Sequence, residues 1–228
     1  MTSVLLGLLR PSRAWMLARA VVFYEGMNMR TQRTSNCFLL AMGYTVFMII
    51  KEKNVILRPI TLGDAERFVL WFNDPEVNKF LHRRSMTLEQ EREWIKASPE
   101  KRQEVNFAID TSGGVHIGSV GLRNIDEVYH YADFGIMIGD KNYWNKGLGS
   151  EATNLMLCYG FEQLHLHRIE LDVYEYNERA IKVYERIGFI KEGVKREHVL
   201  WDGKFYDTIL MGMLASEWEN KKTRKGFS

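Results

Sequence analysis

The sequence has few cysteines and no long apolar segment. Its 228 residues include two cysteines, Cys37 and Cys158, which cannot form a disulfide framework and favour a reducing compartment such as the cytoplasm. No apolar run approaches the roughly 18 residues that a membrane-spanning helix needs. The net charge of +2 gives no broad electrostatic basis for binding nucleic acid or an acidic membrane. We therefore expect a soluble globular protein without stable membrane insertion and without a nucleic-acid partner.

Lysine is absent from the start of the chain. Residues 1–47 carry five arginines and one acid, Glu25, which gives this segment a charge of +4 and leaves −2 for the rest. Such a start is typical of a transit peptide or a membrane-surface helix, but no helical or alternating pattern runs through it. We favour an atypical extension over 1–47, with Met48 as the true start. One domain is then predicted over 48–218, followed by a charged tail over 219–228.

Several familiar catalytic patterns are also missing. There is no Walker A motif and no recognisable context for a Ser-His-Asp or Cys-His arrangement. His165 and His167 flank Leu166, but two ligands at this spacing without a third nearby make a poor metal site. We therefore predict no bound metal.

What the sequence does contain is a regular order of strand and helix patterns. A first strand precedes two helices, and the second helix opens with a capping box at Thr87 and Gln90. Three strands, a loop, a helix, a strand, a helix from Asn177 to Gly188 and a hairpin around Asp202-Gly203 follow. This order predicts an α/β (α+β) domain, with about four helices around a mixed, mostly antiparallel sheet of six to seven strands. The predicted strands are 54–60, 104–110, 115–125, 130–139, 167–173, 189–201 and 204–214.

The loop "YWNKGLGSEA", Tyr143 to Ala152, carries the clearest functional signal. Gly147 and Gly149 can adopt positive φ and allow close approach to the backbone. A helix that starts there directs unpaired N–H groups and the positive end of its dipole at the loop. This combination binds anions, above all phosphates.

Two other interpretations of the loop remain open. "GLGSEA" also fits the dinucleotide fingerprint, with Glu170 at the expected distance, which would indicate a dinucleotide-dependent oxidoreductase. Against this, seven residues separate the strand ending at Gly139 from Gly147, whereas a dinucleotide-binding turn follows its strand directly. The other interpretation is a structural turn that feeds a helix and binds no ligand.

Four motifs together resemble the GCN5-related N-acetyltransferases (GNAT), and within them the branch of ribosomal-protein-alanine and spermidine acetyltransferases. They are "LRPI…DAERFVLWFNDPEV", "ADFGIMIGDKNYWNKGLGSEA", "HRIELDVYEYNERAIKVYERIGF" and "KEGVKREHVLWDGKFYDTILMGML", and they extend over about residues 54–215. The resemblance implies the GNAT fold and an acetyl-CoA-dependent N-acetyltransferase. Such an enzyme moves an acetyl group to a primary amine by direct attack in a ternary complex.

The resemblance also implies how the coenzyme is held. The family loop pattern is [Q/R]-x-x-G-x-[G/A], and Trp144 stands here where the family has Gln or Arg. Backbone N–H groups of the loop would hold the coenzyme diphosphate, and the preceding strand would pair with the pantetheine arm. The implied acetyl-CoA contacts are Ile136, Met137, Ile138, Trp144, Asn145, Lys146, Gly147, Leu148, Gly149, Ser150, Asn177, Ala180 and Tyr184.

Acetyl transfer needs a deprotonated amine, donors to an oxyanion and a proton for the departing thiolate. A phenol with a pKa near 10 is still protonated at neutral pH. The resemblance implies Tyr184 as the proton donor, because the family motif N-x-x-A-x-x-x-Y, which ends with the tyrosine acid, matches Asn177, Ala180 and Tyr184. Strand alternation places Asp133 away from the apolar face, and it is the first candidate for the general base. Glu170 is the second.

The resemblance places the acceptor against the first two helices and the last hairpin. Trp71, Asn73, Asp74 and Phe80, together with the loop 201–206, would line its pocket. The expected partner is an amine-bearing small molecule or a protein N-terminus, and a homodimer is compatible with the pattern. A protein of the same fold that senses acyl-CoA without turnover is the alternative, because it would keep the glycine loop.

Overall fold

The computed structural model describes residues 33–34, 37–38, 40–42, 45–81 and 85–224. Its strands are β1 (Arg33–Thr34), β2 (Cys37–Phe38), β3 (Leu40–Met42), β4 (Thr45–Lys51), β5 (Val55–Pro59), β6 (Val105–Thr111), β7 (His116–Asp126), β8 (Tyr131–Ile138), β9 (Arg168–Tyr174), β10 (Ile190–Trp201) and β11 (Lys204–Leu214). Its α-helices are α1 (Ala65–Asn73), α2 (Pro75–Asn78), α3 (Leu88–Ala97), α4 (Leu148–Cys158), α5 (Glu178–Ile187) and α6 (Ala215–Arg224).

The described strands form one large sheet and one small one. The large sheet has the order β10-β11-β9-β8-β7-β6-β5-β4-β3, and β1 pairs with β2 separately. Every neighbouring pair is antiparallel except β8 and β9, which run parallel. The predicted α/β class and the mixed, mostly antiparallel sheet are therefore confirmed.

The sheet has nine strands among the described residues, more than the six to seven predicted. The additional two are β3 and β4, and β4 crosses the predicted domain boundary at Met48. Ile50 and Lys51 of β4 pair with Leu57 and Ile56 of β5, and Ile50 is buried. Residues just before Met48 therefore take part in the sheet. Of the predicted extension over 1–47, residues 1–32, 35–36, 39 and 43–44 lie outside the described residues.

Capping residues and a proline set the ends of the helices α1, α2 and α3. Thr87 accepts from the backbone of Gln90, whose side chain accepts from Thr87 N, and this reciprocal capping box begins α3. Asp74 accepts from Glu76 N and begins α2, with Pro75 at its first position. Because a residue before proline is disfavoured in the α region, α1 ends before Asp74. A short α2 thus separates the two predicted helices.

The two faces of the sheet carry separate apolar cores. On one face, α4, α5 and α6 cover the larger core, which includes Leu122, Phe134, Leu157 and Met211. On the other face, α1 and α3 cover a smaller core built around Phe68, and Met137 of β8 contributes to it. Successive residues of β8 therefore serve both cores.

The end of the chain differs from the predicted charged tail. Helix α6 runs from Ala215 to Arg224 and crosses the expected boundary at residue 218. Trp218 is buried, and its ring stacks on Phe161 with centroids 6.0 Å apart. This contact of Trp218 joins α6 to the core, and the helix continues into residues 219–224 of the predicted tail.

Strands β8 and β9 separate along their length. Their parallel pairing covers three residue pairs, from Tyr131↔Arg168 to Asp133↔Glu170. Beyond these pairs, β8 continues to Ile138 beside β7, and β9 continues to Tyr174 beside β11. The backbone of residues 134–138 therefore faces an opening in the sheet rather than a neighbouring strand.

Candidate active site

A cavity of about 780 Å³ occupies the opening between β8 and β9 and extends to the smaller core. We divide it into two parts. The loop half is lined by residues of the separated strands, the glycine loop and α5: Phe134–Ile138, Tyr143–Asn145, Gly147–Ser150, Leu171–Tyr174, Asn177, Arg179, Ala180, Lys182, Val183, Tyr184 and Arg186. The helical half is lined by residues of α1 to α3, β6, β7 and their flanks, together with Thr153 of α4: Ile60, Phe68, Phe72, Val77, Phe80, Leu81, Glu91, Trp94, Glu104, Asn106, Ser119, Val120, Gly121, Arg123 and Thr153.

The glycine loop ends in an uncapped helix. Gly147 is the N-cap of α4 with φ 78°, and no side chain accepts a hydrogen bond from the helix N-terminus. The first α-helical bond runs from Glu151 N to Gly147 O, at 3.1 Å, so the N–H groups of the preceding residues have no intrahelical partner. A Cβ at Gly147 would meet nothing within 4 Å. Glycine is therefore required here by its φ rather than by crowding.

Trp144 is fixed by a hydrogen bond to the strand. Its indole Nε1 donates to Ile138 O at 2.7 Å, which ties the loop to the last residue of β8. The guanidinium carbon of Arg179 lies 4.4 Å from the centroid of the Trp144 ring. The first position of the family loop pattern is therefore an aromatic platform in this chain.

Helix α5 and its N-cap place three predicted residues in the cavity, namely Asn177, Ala180 and Tyr184. Asn177 Oδ1 accepts from Ala180 N at 3.3 Å, so Asn177 is the predicted N-cap. Tyr184 packs edge-on against Phe134 and Phe189, with ring centroids 6.2 Å and 5.7 Å apart. Burial raises the pKa of the Tyr184 phenol above its ordinary value, which keeps it protonated at neutral pH.

Twelve of the thirteen predicted coenzyme contacts line the cavity together. The exception is Lys146, whose ammonium lies 5.2 Å from the centroid of the Tyr143 ring and outside the lining. The other twelve are Ile136, Met137, Ile138, Trp144, Asn145, Gly147, Leu148, Gly149, Ser150, Asn177, Ala180 and Tyr184.

The two predicted base candidates lie elsewhere. Asp133 accepts a hydrogen bond of 2.6 Å from Asn124 Nδ2, and Glu170 accepts one of 2.7 Å from Arg168 Nε. Neither residue lines the cavity. Both sit where β8 and β9 still pair, before the strands separate.

The helical half contains residues that the sequence reasoning missed. Its carboxylates are Glu91, which is fully buried on α3, and Glu104, which precedes β6. The β6–β7 register pairs Val105 with Leu122, which places Glu104 close to Arg123 of β7. The available signal was weak: a glutamate before a strand looks like an ordinary turn residue until the strand pairing is known.

Most of the predicted acceptor residues have structural roles. Trp71 packs over Gly139, where an added Cβ would lie 2.1 Å from the indole ring. Asn73 exchanges two hydrogen bonds with the backbone of Met86. Of the four residues named in this segment, Phe80 alone lines the cavity, and no residue of the loop 201–206 does.

The acids beside α2 are neutralised by one lysine. Lys141 Nζ lies 2.8 Å from Asp74 and 2.9 Å from Glu76. The hydrogen bond from Lys141 lowers the pKa of the Asp74 carboxyl. These carboxylates are therefore already paired with a cation of the chain itself.

A buried ionic cluster anchors the start of α1 to the sheet. Arg58 of β5 binds Asp64 at 2.8 Å and Asp110 of β6 at 2.7 Å. Burial disfavours a charged Asp64, but the hydrogen bonds from Arg58 and Thr61 outweigh it and lower the pKa to about 2. Burial also lowers the pKa of His116, whose Nδ1 lies 3.2 Å from Asp64. This cluster fixes the helical half to the sheet.

The loop half fits a coenzyme with a diphosphate and an amide-bearing arm. Uncapped N–H groups suit the anion, and the unpaired backbone of β8 suits an extended arm that hydrogen-bonds like a strand.

No group of three or more His, Cys, Asp or Glu residues in the described part of the chain could hold a metal ion. The described helices include none long and apolar enough to cross a membrane. Fold and site together define an acyl-CoA-dependent transferase.

Comparison with known proteins identifies the family. The family model of the acetyltransferase (GNAT) domain matches residues 54–190. The chain is 31% identical over 171 residues to an uncharacterised N-acetyltransferase, p20, of Bacillus licheniformis, covering 73% of this chain and 96% of that one. It is 32% identical over 118 residues to a spermidine N(1)-acetyltransferase of Vibrio cholerae, covering 52% and 68% respectively.

A solved structure agrees with this assignment. The crystal structure of spermidine N-acetyltransferase from Vibrio cholerae in complex with CoA and spermine has a TM-score of 0.68 and 27% identity to this chain, and covers 73% of this chain and 98% of that one. The protein belongs to the GNAT acetyltransferase family. It is an acetyl-CoA-dependent N-acetyltransferase, and the predicted fold, family and coenzyme are confirmed. A dinucleotide-dependent oxidoreductase is thereby excluded.

Proposed function

We propose that the enzyme acetylates a primary amine of a polyamine, another small molecule or a protein N-terminus, by direct attack in a ternary complex. One observation carries the proposal: the loop half and the helical half form a single continuous cavity, with Tyr184 in its wall. Coenzyme and acceptor can therefore be bound at the same time. A cavity that admits both substrates requires no covalent intermediate on the protein.

Tyr184 is proposed as the proton donor to the departing thiolate. Its raised pKa keeps the phenol protonated, and its hydroxyl makes no hydrogen bond with other described residues. Asn177 uses its side-chain oxygen to cap α5, which leaves its amide NH₂ for the coenzyme arm. The backbone N–H groups of residues 136–138 are the proposed donors to the oxyanion.

Glu104 is proposed to bind the acceptor ammonium and to take its proton. It is partly buried and lines the helical half, unlike Asp133 and Glu170. Lys101 Nζ lies 3.4 Å from the Glu104 carboxylate, and 39% of the Lys101 side chain is exposed. Glu91 adds a second carboxylate to the same half. Aromatic walls from Phe68, Phe72 and Trp94 favour a substrate cation over an anion.

An amine panel tests the proposal. Wild-type protein with acetyl-CoA should release free thiol only when a primary amine is added, at a rate that depends on the amine. Tyr184→Phe should lower kcat by about 10²- to 10⁴-fold, the usual contribution of a positioned acid, and leave CoA affinity within about twofold. Unchanged turnover in Tyr184→Phe would refute its assigned role. CoA binding without turnover for every amine tested would favour an acyl-CoA sensor instead.

Two further features of the protein are proposals. The relatives include a dodecameric spermidine N-acetyltransferase, and we propose at least a homodimer for this chain, to be checked by light scattering. Cys158 is a buried cysteine, which suits a reducing compartment such as the cytoplasm. Fractionation of cells that express the full chain would test this location.

A further inference from the structure

Arg179 reaches across the opening of the sheet. It is the second residue of α5, which follows β9, and its guanidinium lies over the ring of Trp144, which follows β8. The same guanidinium is 6.0 Å from the centroid of the Phe80 ring. One cation therefore joins the two elements that flank the cavity, at the position where the glycine loop begins.

The charge of Arg179 is not used elsewhere in the described structure. No carboxylate of the described residues lies within ion-pair distance of it, whereas Lys182, one turn further along α5, contacts Glu178 at 3.3 Å. Arg186 also lines the cavity, but it is seven residues further along the helix, roughly 10 Å away. A ring face attracts a guanidinium without neutralising it, so the N–H donors of Arg179 remain available to a ligand.

The surroundings of Arg179 point to one kind of ligand group. Arg179 lines the same half of the cavity as Asn145, Gly147, Gly149 and Ser150, and the uncapped helix N-terminus there favours an anion. Guanidinium groups bind phosphate oxygens with two parallel hydrogen bonds, which fix geometry as well as charge. We propose that Arg179 binds the coenzyme diphosphate, and that Trp144 is a positioning residue that holds the guanidinium for this role.

The proposal also explains the departure at position 144. The loop there carries an indole instead of a polar or charged side chain, and its N–H is bound to Ile138 O. The side chain that contacts the diphosphate is then supplied from α5 rather than from the loop. A flat ring fixed at one edge is a suitable platform, because both its position and its orientation are determined.

Calorimetry with CoA and with pantetheine, which lacks the diphosphate, tests the role of Arg179. Arg179→Ala should weaken CoA binding by about tenfold to a hundredfold, as expected for a lost charge-assisted bond, and leave pantetheine affinity within twofold. Arg179→Lys should lie between wild type and Arg179→Ala, because it keeps the charge without the paired donors. Arg196→Ala removes an exposed arginine of β10 that lies outside the cavity lining, so it is the matched control and should change CoA affinity by less than threefold. Equal losses for CoA and pantetheine, or no loss for CoA, would overturn the proposal.

A double-mutant cycle tests the role of Trp144. If Trp144 acts through Arg179, Trp144→Ala should weaken CoA binding, and the double variant should bind CoA no more weakly than Arg179→Ala alone. Trp144→Phe keeps an aromatic face and should retain more affinity than Trp144→Ala. Additive losses would show that Trp144 contributes independently, against the proposal. Should Trp144→Ala unfold, the Arg179 variants still decide the question. The result does not depend on the acceptor, so failure of the amine panel would leave it intact.

Discussion

In the loop half of the cavity, the groups that face the ligand come from two stretches of chain, 134–150 and 171–186, and they include the backbone amides of the glycine loop. In the helical half, they are side chains brought together from α1, α3, β6 and β7. The first kind of site depends on local chain geometry, such as the φ of 78° at Gly147. The second depends on how separate elements pack. A coenzyme that many enzymes share can be bound by the first kind, whereas a particular acceptor requires the second.

The first prediction has the largest expected effect: substitution of Glu104 should lower turnover and leave CoA binding unchanged, which distinguishes the helical half from the loop half. Glu104→Gln should lower kcat/KM for the best amine by about 10²- to 10⁴-fold, because it removes the proposed proton acceptor. CoA affinity should stay within about twofold, since Glu104 lies in the helical half. Steady-state kinetics across pH and calorimetry provide the two readouts.

Asp133→Asn and Glu170→Gln are the matched controls for that experiment. Both carboxylates were the candidates that the sequence offered, and both lie outside the cavity lining. We expect each control to retain at least about a third of wild-type kcat/KM, as for an exposed pair. A large loss in Asp133→Asn with Glu104→Gln unaffected would restore the base predicted from the sequence.

The contrast between the two halves explains which site residues could be predicted from the sequence. The loop, its helix and the motif from Asn177 to Tyr184 are contiguous patterns, so their residues could be named before the structure was known. Asp133 was chosen because strand alternation gives the face of a residue, but not the point at which β8 and β9 part. The proposed role of Glu104 could not be predicted, because its position beside Arg123 follows from the β6–β7 register.

The elements of the fold can also be divided into those that local sequence patterns predicted and those that they did not. Seven predicted strands correspond to β5 through β11, because their alternation and turn residues are local. Strands β3 and β4 were missed because they lie in or beside a segment whose composition differs from the rest of the domain. Residues 219–224 of α6 were predicted to be part of a tail because they are polar or charged, and the contact of Trp218 with Phe161 that anchors the helix is tertiary.

The second prediction concerns the attachment of the helical half to the sheet. Asp64→Asn removes the charge that Arg58 and His116 face, and should lower the free energy of unfolding by about 3 kcal/mol at pH 7. Asp64 has a depressed pKa, so its stabilisation is present above about pH 4 and is lost as pH falls towards 2. His116, with its pKa lowered by burial, adds a loss of stability below about pH 6.5.

Urea unfolding at pH 7 and pH 3 measures this effect. The stability difference between the two pH values should be smaller in Asp64→Asn than in wild type. Asp74→Asn keeps the cap of α2 and removes only a surface ion pair, so it should cost less than about 1 kcal/mol. If both variants lose the same stability, the cluster does not anchor the helical half.

The third prediction tests the backbone character of the loop half. Gly147→Ala forces a residue with a Cβ into positive φ, which costs about 1–2 kcal/mol, and should weaken CoA binding by about five- to tenfold as the loop relaxes. Gly114→Ala is a close control, because Gly114 has φ 79° and open space around it, in a turn outside the cavity. Both variants should lose similar stability in urea. Calorimetry should show weaker CoA binding for Gly147→Ala alone.

The smallest effect concerns the charge of the acceptor. Lys141→Ala frees the carboxylates of Asp74 and Glu76 beside α2, whose exposed ion pairs contribute at most about 1 kcal/mol. A long polyamine extending from the helical half could use these carboxylates, and its KM should then fall by about two- to fivefold in this variant. A monoamine has no second charge to place there, so its KM should not change. Kinetics with spermidine and with a monoamine of similar length therefore distinguish the two acceptor classes, because the variant removes a competing cation without altering the cavity itself.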